Sequence, residues 1–263
     1  MIVEAKLDKT KVRRSFSAAA KTYDNLAELQ RGVGRELLER FPLSLQAGVS
    51  LDVGCGTGFL TRLLDAGIDG HDLIALDLAL PMLQVSRSKH PGIPAYYLCA
   101  DAEYLPFAPH SISQIYSNLA LQWVHDLPAT LAGFKRVLKP AGQLVFATFG
   151  PKTLCELKAA WASVDSYTHV NEFHSVADIK DFLFAAGFKD VCADSVLYPQ
   201  VYPTVLDLMR ELKGIGAHNV NRGRSPKPTT RSQLQQMMVR YEDLMPENAI
   251  VASYEIIFVK AQL

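Results

Sequence analysis

Between residues 49 and 148 the chain alternates short apolar runs with stretches whose apolar positions recur every three or four residues. The runs are Val49 to Val53, Asp72 to Asp77, Ala95 to Cys99, Ser113 to Asn118 and Gln143 to Thr148. Their length and density suit buried strands, and the three-to-four spacing between them suits helices. Those helices start at Phe59, near Pro81 and at Leu127, the last ending by Leu138 before Lys139-Pro140-Ala141-Gly142. Strand and helix in regular alternation predict an α/β architecture, with a parallel sheet covered by helices on both faces.

The flanks differ. Residues 8–41 read as mostly helical, with an apolar stripe at Leu26, Leu29, Val33, Leu37 and Leu38. Beyond residue 150 the pattern predicts helices at Leu154 to Val164 and Val176 to Ala186, the second closed by Gly187. Strands follow at Lys189 to Leu197 and Ala249 to Lys260. Residues 198–248 are too many for a hairpin loop, so they are expected to form a small helical cap over the open end of the sheet. The expected division is N-terminal helices in 1–48, a core in 49–197 and 249–263, and the cap between.

The chemistry centres on Leu51-Asp52-Val53-Gly54-Cys55-Gly56-Thr57-Gly58, where a strand turns into a helix. Glycines admit positive φ and close ligand approach, and the helix start offers free N–H groups. A dinucleotide fingerprint needs a third glycine where Phe59 stands. Asp52 before the first glycine suits a ligand with a positive amine. Asp77, at the end of the second strand, is placed to accept from ribose hydroxyls, although a lone acid there is usually a helix cap. Asp101 is a candidate for an adenine amine or an ordinary turn aspartate. The glycine pattern resembles motif I of class I S-adenosylmethionine-dependent methyltransferases. The resemblance implies a Rossmann-like, mostly parallel sheet whose last strand is antiparallel. It also implies cofactor contacts at Asp52, Gly54, Gly56, Asp77, Leu78, Met82, Asp101, Ala102 and Asn118.

Charge narrows the partners. Lys+Arg and Asp+Glu are both 27, so the net charge is zero, and nothing global calls for nucleic acid or a membrane. Locally, Arg210, Lys213, Arg222, Arg224, Lys227 and Arg231 face a single acid, Glu211, within one stretch. Charge runs are usually solvated faces, but Gly214, Gly216 and Gly223 argue for a shaped loop. The cysteines Cys55, Cys99, Cys155 and Cys192 lack metal or redox spacing and suit a reducing cytosol. No metal is expected. Without an apolar leader or an 18-residue apolar run, the expected location is the cytoplasm.

Three segments go further: Ala18-Ala19-Ala20-Lys21-Thr22-Tyr23, Ser117-Asn118-Leu119-Ala120-Leu121-Gln122-Trp123, and Leu212-Lys213-Gly214-Ile215-Gly216-Ala217-His218 with Gly223-Arg224 and Thr230-Arg231-Ser232-Gln233-Leu234. Together they resemble the malonyl-[acyl-carrier protein] O-methyltransferases of biotin synthesis, the BioC family. The resemblance implies methyl transfer from S-adenosylmethionine to the free carboxyl of a malonyl thioester, giving an ester that primes pimeloyl synthesis. It implies acyl carrier protein docked on the basic cap, with malonyl-coenzyme A as another carrier. Substrate contacts would fall on Tyr23 and Phe173 and on Arg210 and Lys213, with Arg222 and Arg224 at the rim. Tyr23 and Arg210 would position the carboxylate. No general base is expected, because a carboxyl of pKa roughly 3–4 is already ionised at neutral pH.

Rival readings are a methyltransferase for a quinone ring carbon or a free polycarboxylate, a non-catalytic cofactor-binding protein, and an RNA methyltransferase. The Ser117-Asn118-Leu119-Ala120 run, in place of an Asp/Asn-Pro-Pro-Tyr/Phe motif, argues against methylation of a base amine.

Overall fold

Residues 7–43, 48–67, 72–217, 228–245 and 249–263 are described by the computed structural model. Five parallel strands come first: β1 (Val49–Val53), β2 (Asp72–Asp77), β3 (Ala95–Cys99), β4 (Ile112–Asn118) and β5 (Leu138–Phe149). They are followed by β6 (Lys189–Tyr202) and β7 (Ile250–Gln262). All seven form one sheet in the order β3-β2-β1-β4-β5-β7-β6. β7 runs antiparallel to both β5 and β6. The strand order reverses between β1 and β4, the crevice where open α/β sheets bind ligands at their carboxyl ends.

Helices cover both faces. α1 (Lys9–Ala19) and α2 (Glu28–Arg40) are joined by a 3₁₀ turn at Tyr23–Asn25. α3 (Phe59–Gly67), α4 (Leu80–Lys89) and α5 (Leu127–Val137) connect the parallel strands, and α6 (Cys155–Ala162) and α7 (Val176–Ala186) follow β5. Local signals explain the ends. Asp126 caps α5 by accepting from Ala129 N at 2.8 Å. Ser175 and Asp178 make a reciprocal capping box at α7, and Gly187 ends that helix at φ 90°.

Neighbouring residues on β4 feed opposite cores, as a period of two requires. Tyr116 packs with α2, α3 and α6 through Leu37, Leu64 and Trp161, while Ile115 packs with α5 and α7 through Phe134 and Leu183. The predicted stripe on α2 is real at its centre: Val33 and Leu37 are fully buried.

The structure corrects two boundaries. β5 begins at Leu138, where its pairing with Ile112 precedes a register shift, and Ala141 takes a left-handed φ of 61°. The proline and glycine that end α5 therefore sit in an irregular strand start. β6 continues to Tyr202, because its pairing with β7 runs unbroken from Cys192 to the Tyr202↔Ile250 pair. Residues 198–202 accordingly belong to the sheet and not to the cap. The insertion itself carries α8 (Val205–Gly214) and α9 (Arg231–Asp243). Leu208, Met237 and Tyr241 from these helices are fully buried in the same cluster as Trp161 and Tyr254. The Tyr241 hydroxyl donates to Val251 O at 2.8 Å. The cap thus shares the core of the sheet.

Candidate active site

After β1 the chain turns through Gly54, Gly56 and Gly58 at φ 71°, 55° and 87°. Gly54 and Gly58 leave no room for a side chain, and a Cβ on Gly58 would lie 2.1 Å from Ser86 Oγ. A Cβ on Gly54 would lie 2.2 Å from Ala120 Cβ, so glycine lets the corner close on the segment after β4. Nothing lies within 4 Å of the corresponding position on Gly56, which leaves open backbone facing the cleft. Asp77 ties β2 to this corner: its Oδ2 accepts from Gly56 N at 2.9 Å and its Oδ1 from Ala79 N at 2.7 Å. Burial pushes its carboxyl up to about 6, against the opposing pull of those two N–H groups.

Eight of the nine expected cofactor positions line one narrow cleft of ≈ 100 Å³: Gly54, Gly56, Asp77, Leu78, Met82, Asp101, Ala102 and Asn118. Asp52 is the exception. It is 1% exposed, stands off the cleft wall and accepts from Thr61 Oγ1 at 2.6 Å. Burial raises its carboxyl to about 7, with the Asp77 charge adding to the shift. The acid two residues before Gly54 therefore braces α3 against β1 from behind the cleft wall. Asp101 lines the cleft, but its Oδ1 already receives Lys9 Nζ at 2.8 Å and Glu103 N at 3.1 Å.

The opposite wall comes from the N-terminal helices. Lys9, Val12, Phe16 and Tyr23 close over the cleft. The Phe16 ring meets Trp123 edge-on at 5.3 Å. Tyr23 has its phenol raised above the ordinary range, first by burial and then by the charge of Asp77, so it stays neutral. An adenosyl group carrying an amine and ribose hydroxyls fits these residues. The cleft offers the open face of Gly56, a half-buried acid at Asp77, and an Asn118 Oδ1 that is buried without a hydrogen-bond partner.

Beside the cleft lies a larger, mainly apolar cavity of ≈ 660 Å³, and Trp123 lines both. Its walls include Leu29 and Gln30 of α2, Phe149 at the end of β5, Trp161 of α6, Phe173, and Tyr254 of β7. The Phe173 ring sits 5.6 Å from that of Phe149. The insertion supplies Met209, Arg210 and Lys213. Arg210 does not reach inward as a carboxylate clamp: its side chain is 73% exposed and its Nη1 lies 2.8 Å from Asp207 Oδ1. Tyr23 belongs to the narrow cleft and Arg210 to the rim of the large cavity, so the structure does not bring the two together. Arg222 and Arg224 lie outside the described residues.

Some positions around the large cavity carry no sequence signal. Gln30 borders the apolar stripe of α2 without belonging to it. Tyr202 donates to Glu211 Oε1 at 2.8 Å and lies 3.3 Å from the Tyr254 hydroxyl, a network spanning the sheet and the insertion. Burial raises the Glu211 carboxyl. Among the described residues, no helix is long and apolar enough to cross a membrane.

Comparison with known proteins bears on this geometry. Residues 51–146 match the model of the methyltransferase domain family. The YcgJ protein of Bacillus subtilis superposes with a TM-score of 0.64 at 16% identity, covering 88% of this chain and 97% of that one, a likeness of fold. The biotin biosynthesis bifunctional protein BioHC of Cellvibrio japonicus is 40% identical over 96% of this chain, which spans about 50% of that longer protein. The malonyl-[acyl-carrier protein] O-methyltransferase of Methylovorus sp. is 40% identical over 96% of this chain and 88% of its own length. With that identity held over nearly the whole chain, the chain belongs to the malonyl-[acyl-carrier protein] O-methyltransferase family.

Proposed function

We propose that this enzyme methylates the free carboxyl of a malonyl group carried by acyl carrier protein, giving the methyl ester that primes pimeloyl synthesis for biotin. The observation that carries the reading is the meeting of a narrow, polar-ended cleft with a large apolar cavity at Trp123. One suits an adenosyl group and the other an acyl chain on its thiol arm.

S-adenosylmethionine, when bound, supplies a methyl already activated on sulfonium. The chain's own residues have the remaining tasks. Asp77 receives ribose hydroxyls beside the Gly56 backbone, and Asn118 offers its free oxygen at the cleft's inner end. Phe16, Tyr23 and Trp123 keep water from the reacting carboxylate. The carboxylate oxygen forms its new bond to carbon as the carbon–sulfur bond breaks, and no proton changes hands. A base is therefore unnecessary. Alignment of the two partners is what the protein adds, a contribution on the order of 7–11 kcal/mol.

The carboxylate loses its charge in the reaction, so a tightly bound cation would favour the ground state. An Arg210 that points to solvent suits a different task. With Lys213, and with Arg222 and Arg224 farther along the insertion, it offers positive charge to an acidic carrier protein and speeds encounter more than it tightens binding. The test is methyl transfer from labelled S-adenosylmethionine to malonyl-acyl carrier protein, malonyl-coenzyme A and free malonate in parallel. Strong preference for the carrier-bound substrate is expected. Equal use of coenzyme A would remove the docking face, and no transfer to any of the three would remove the malonyl acceptor.

A further inference from the structure

The two cavities are joined by one pair of residues. Gln30, in the first turn of α2, stands on the wall of the large cavity, and Asn118, at the end of β4, stands on the wall of the cleft. Asn118 Nδ2 donates to the backbone oxygen of Gln30 at 2.8 Å. Gly34, one turn along α2, permits this approach: a Cβ there would lie 3.0 Å from Asn118 Nδ2. Past Asn118 the chain bends through Leu119 at a left-handed φ of 49°, a conformation a leucine rarely takes. The pair is thus held on both sides.

Each member presents an unmatched oxygen. Gln30 Oε1 and Asn118 Oδ1 are both buried with no hydrogen-bond partner. Buried polar atoms are nearly always paired, so two orphans at one junction mark a place where a ligand completes the bonding. Asn118 faces the cleft and Gln30 the acyl cavity, so the two orphans look toward different ligands.

We infer that Gln30 is the residue that grips the malonyl carboxylate. The inference rests on the proposed methyl acceptor. A carboxamide's terminal torsion is soft and roughly two-fold, so a half-turn puts Nε2 where Oε1 now lies. Nε2 then donates to one carboxylate oxygen and leaves the other free at the junction with the cleft. The grip is a neutral one. It orients the anion without the opposing charge that would be lost when the ester forms. The cations on the same cavity do not compete for this role: Arg210 is held at the rim by Asp207, and Lys213 is exposed. Asn118, locked through its Nδ2, fixes the backbone from which Gln30 projects.

Three variants test this: Gln30→Met, which keeps length and removes the amide; Gln30→Glu, which keeps shape and replaces the donor by a charge; and Gln30→Asn. For each, S-adenosylhomocysteine affinity is measured by calorimetry and methyl transfer to malonyl-acyl carrier protein by label, from pH 6 to 8. Cofactor affinity should stay within about threefold of wild type, showing that the fold is intact. Gln30→Met should lose roughly 10- to 150-fold in kcat/KM, the size of a hydrogen bond to a charged group. Gln30→Glu should lose more at pH 8 and regain about tenfold or more toward pH 6, as its buried carboxyl takes up a proton and becomes a donor. Gln30→Asn should lose less than Gln30→Met. Met-variant turnover within threefold of wild type, or a Glu variant without the acid-side recovery, overturns the inference and leaves the proposed function standing. No transfer by the wild-type enzyme removes both.

Discussion

Lys9 Nζ lies 2.8 Å from Asp101 Oδ1 and 2.5 Å from Glu103 Oε2, so one lysine on α1 joins two acids across the mouth of the cleft. Glu103 passes the connection on, because its Oε1 accepts from the N–H groups of His125 and Asp126 ahead of α5. The lysine is 20% exposed, which sets the pair apart from ordinary surface ion pairs. Lys9→Met should leave the two acids facing each other and loosen α1. Amide exchange over residues 9–19 is expected to rise roughly five- to tenfold, about 1 kcal/mol, while exchange in the central strands stays unchanged.

Asp77 uses both carboxylate oxygens on backbone N–H groups. Asp77→Asn turns one of those acceptors into an NH₂ that faces another donor. Leaving such a buried N–H unmatched costs about 1–3 kcal/mol. S-adenosylmethionine affinity should therefore fall by roughly tenfold or more in calorimetry. An unchanged affinity would take Asp77 out of the cofactor site.

Asp52 and Asp77 also shape the response to pH. Burial raises their folded carboxyls to about 7 and about 6, well above the roughly 3.9 of an unfolded aspartate. A raised carboxyl keeps its proton in the folded state where the unfolded chain has released it. The resulting stability is fully present below about pH 4 and is lost as pH rises through 6 to 7. Asp52→Asn keeps an acceptor for Thr61 and removes the titration. Urea unfolding at pH 5 to 8 should show the variant gaining on wild type as pH rises, by at most about 1.4 kcal/mol per pH unit. Parallel curves would mean that Asp52 titrates alike in both states.

Arg210 gives a test of charge without chemistry. Its pair with Asp207 is exposed and three residues apart on α8, so solvent screens it and it adds little to stability. Arg210→Ala should leave the melting temperature and kcat nearly unchanged. It should lower kcat/KM on carrier-bound substrate about three- to tenfold at low salt, with the difference shrinking at high salt. A large fall in kcat would put the guanidinium on the carboxylate after all.

The central sheet is legible in the sequence because its inner parallel strands are largely buried and read as short apolar runs; β3, at the edge with Tyr96 exposed, still falls where its apolar run places it. β6 is harder to read. It is an edge strand with much of its length exposed, so its apolar signal fades before its pairing with β7 ends at Tyr202. The glycine corner and Asp77 announce themselves through spacing. Asp52 is harder to read, because a buried acid bonded to Thr61 and a ligand-facing acid look alike in one dimension. Gln30 is invisible in the sequence: its importance comes from Asn118, 88 residues away, and only folding brings the two together.

The insertion leaves the sheet after Tyr202 and returns at Ile250, and those two residues stand opposite each other in the β6–β7 pairing. Its entry and exit therefore coincide, as at the neck of a flask. A cap from another family member can be grafted there without moving any strand, provided that the graft brings its own counterparts of Leu208, Met237 and Tyr241 to plug the core. On the proposed docking, carrier choice would then be a modular trait of this fold, set by the outer face of the insertion while its inner face is held to the shape of the core.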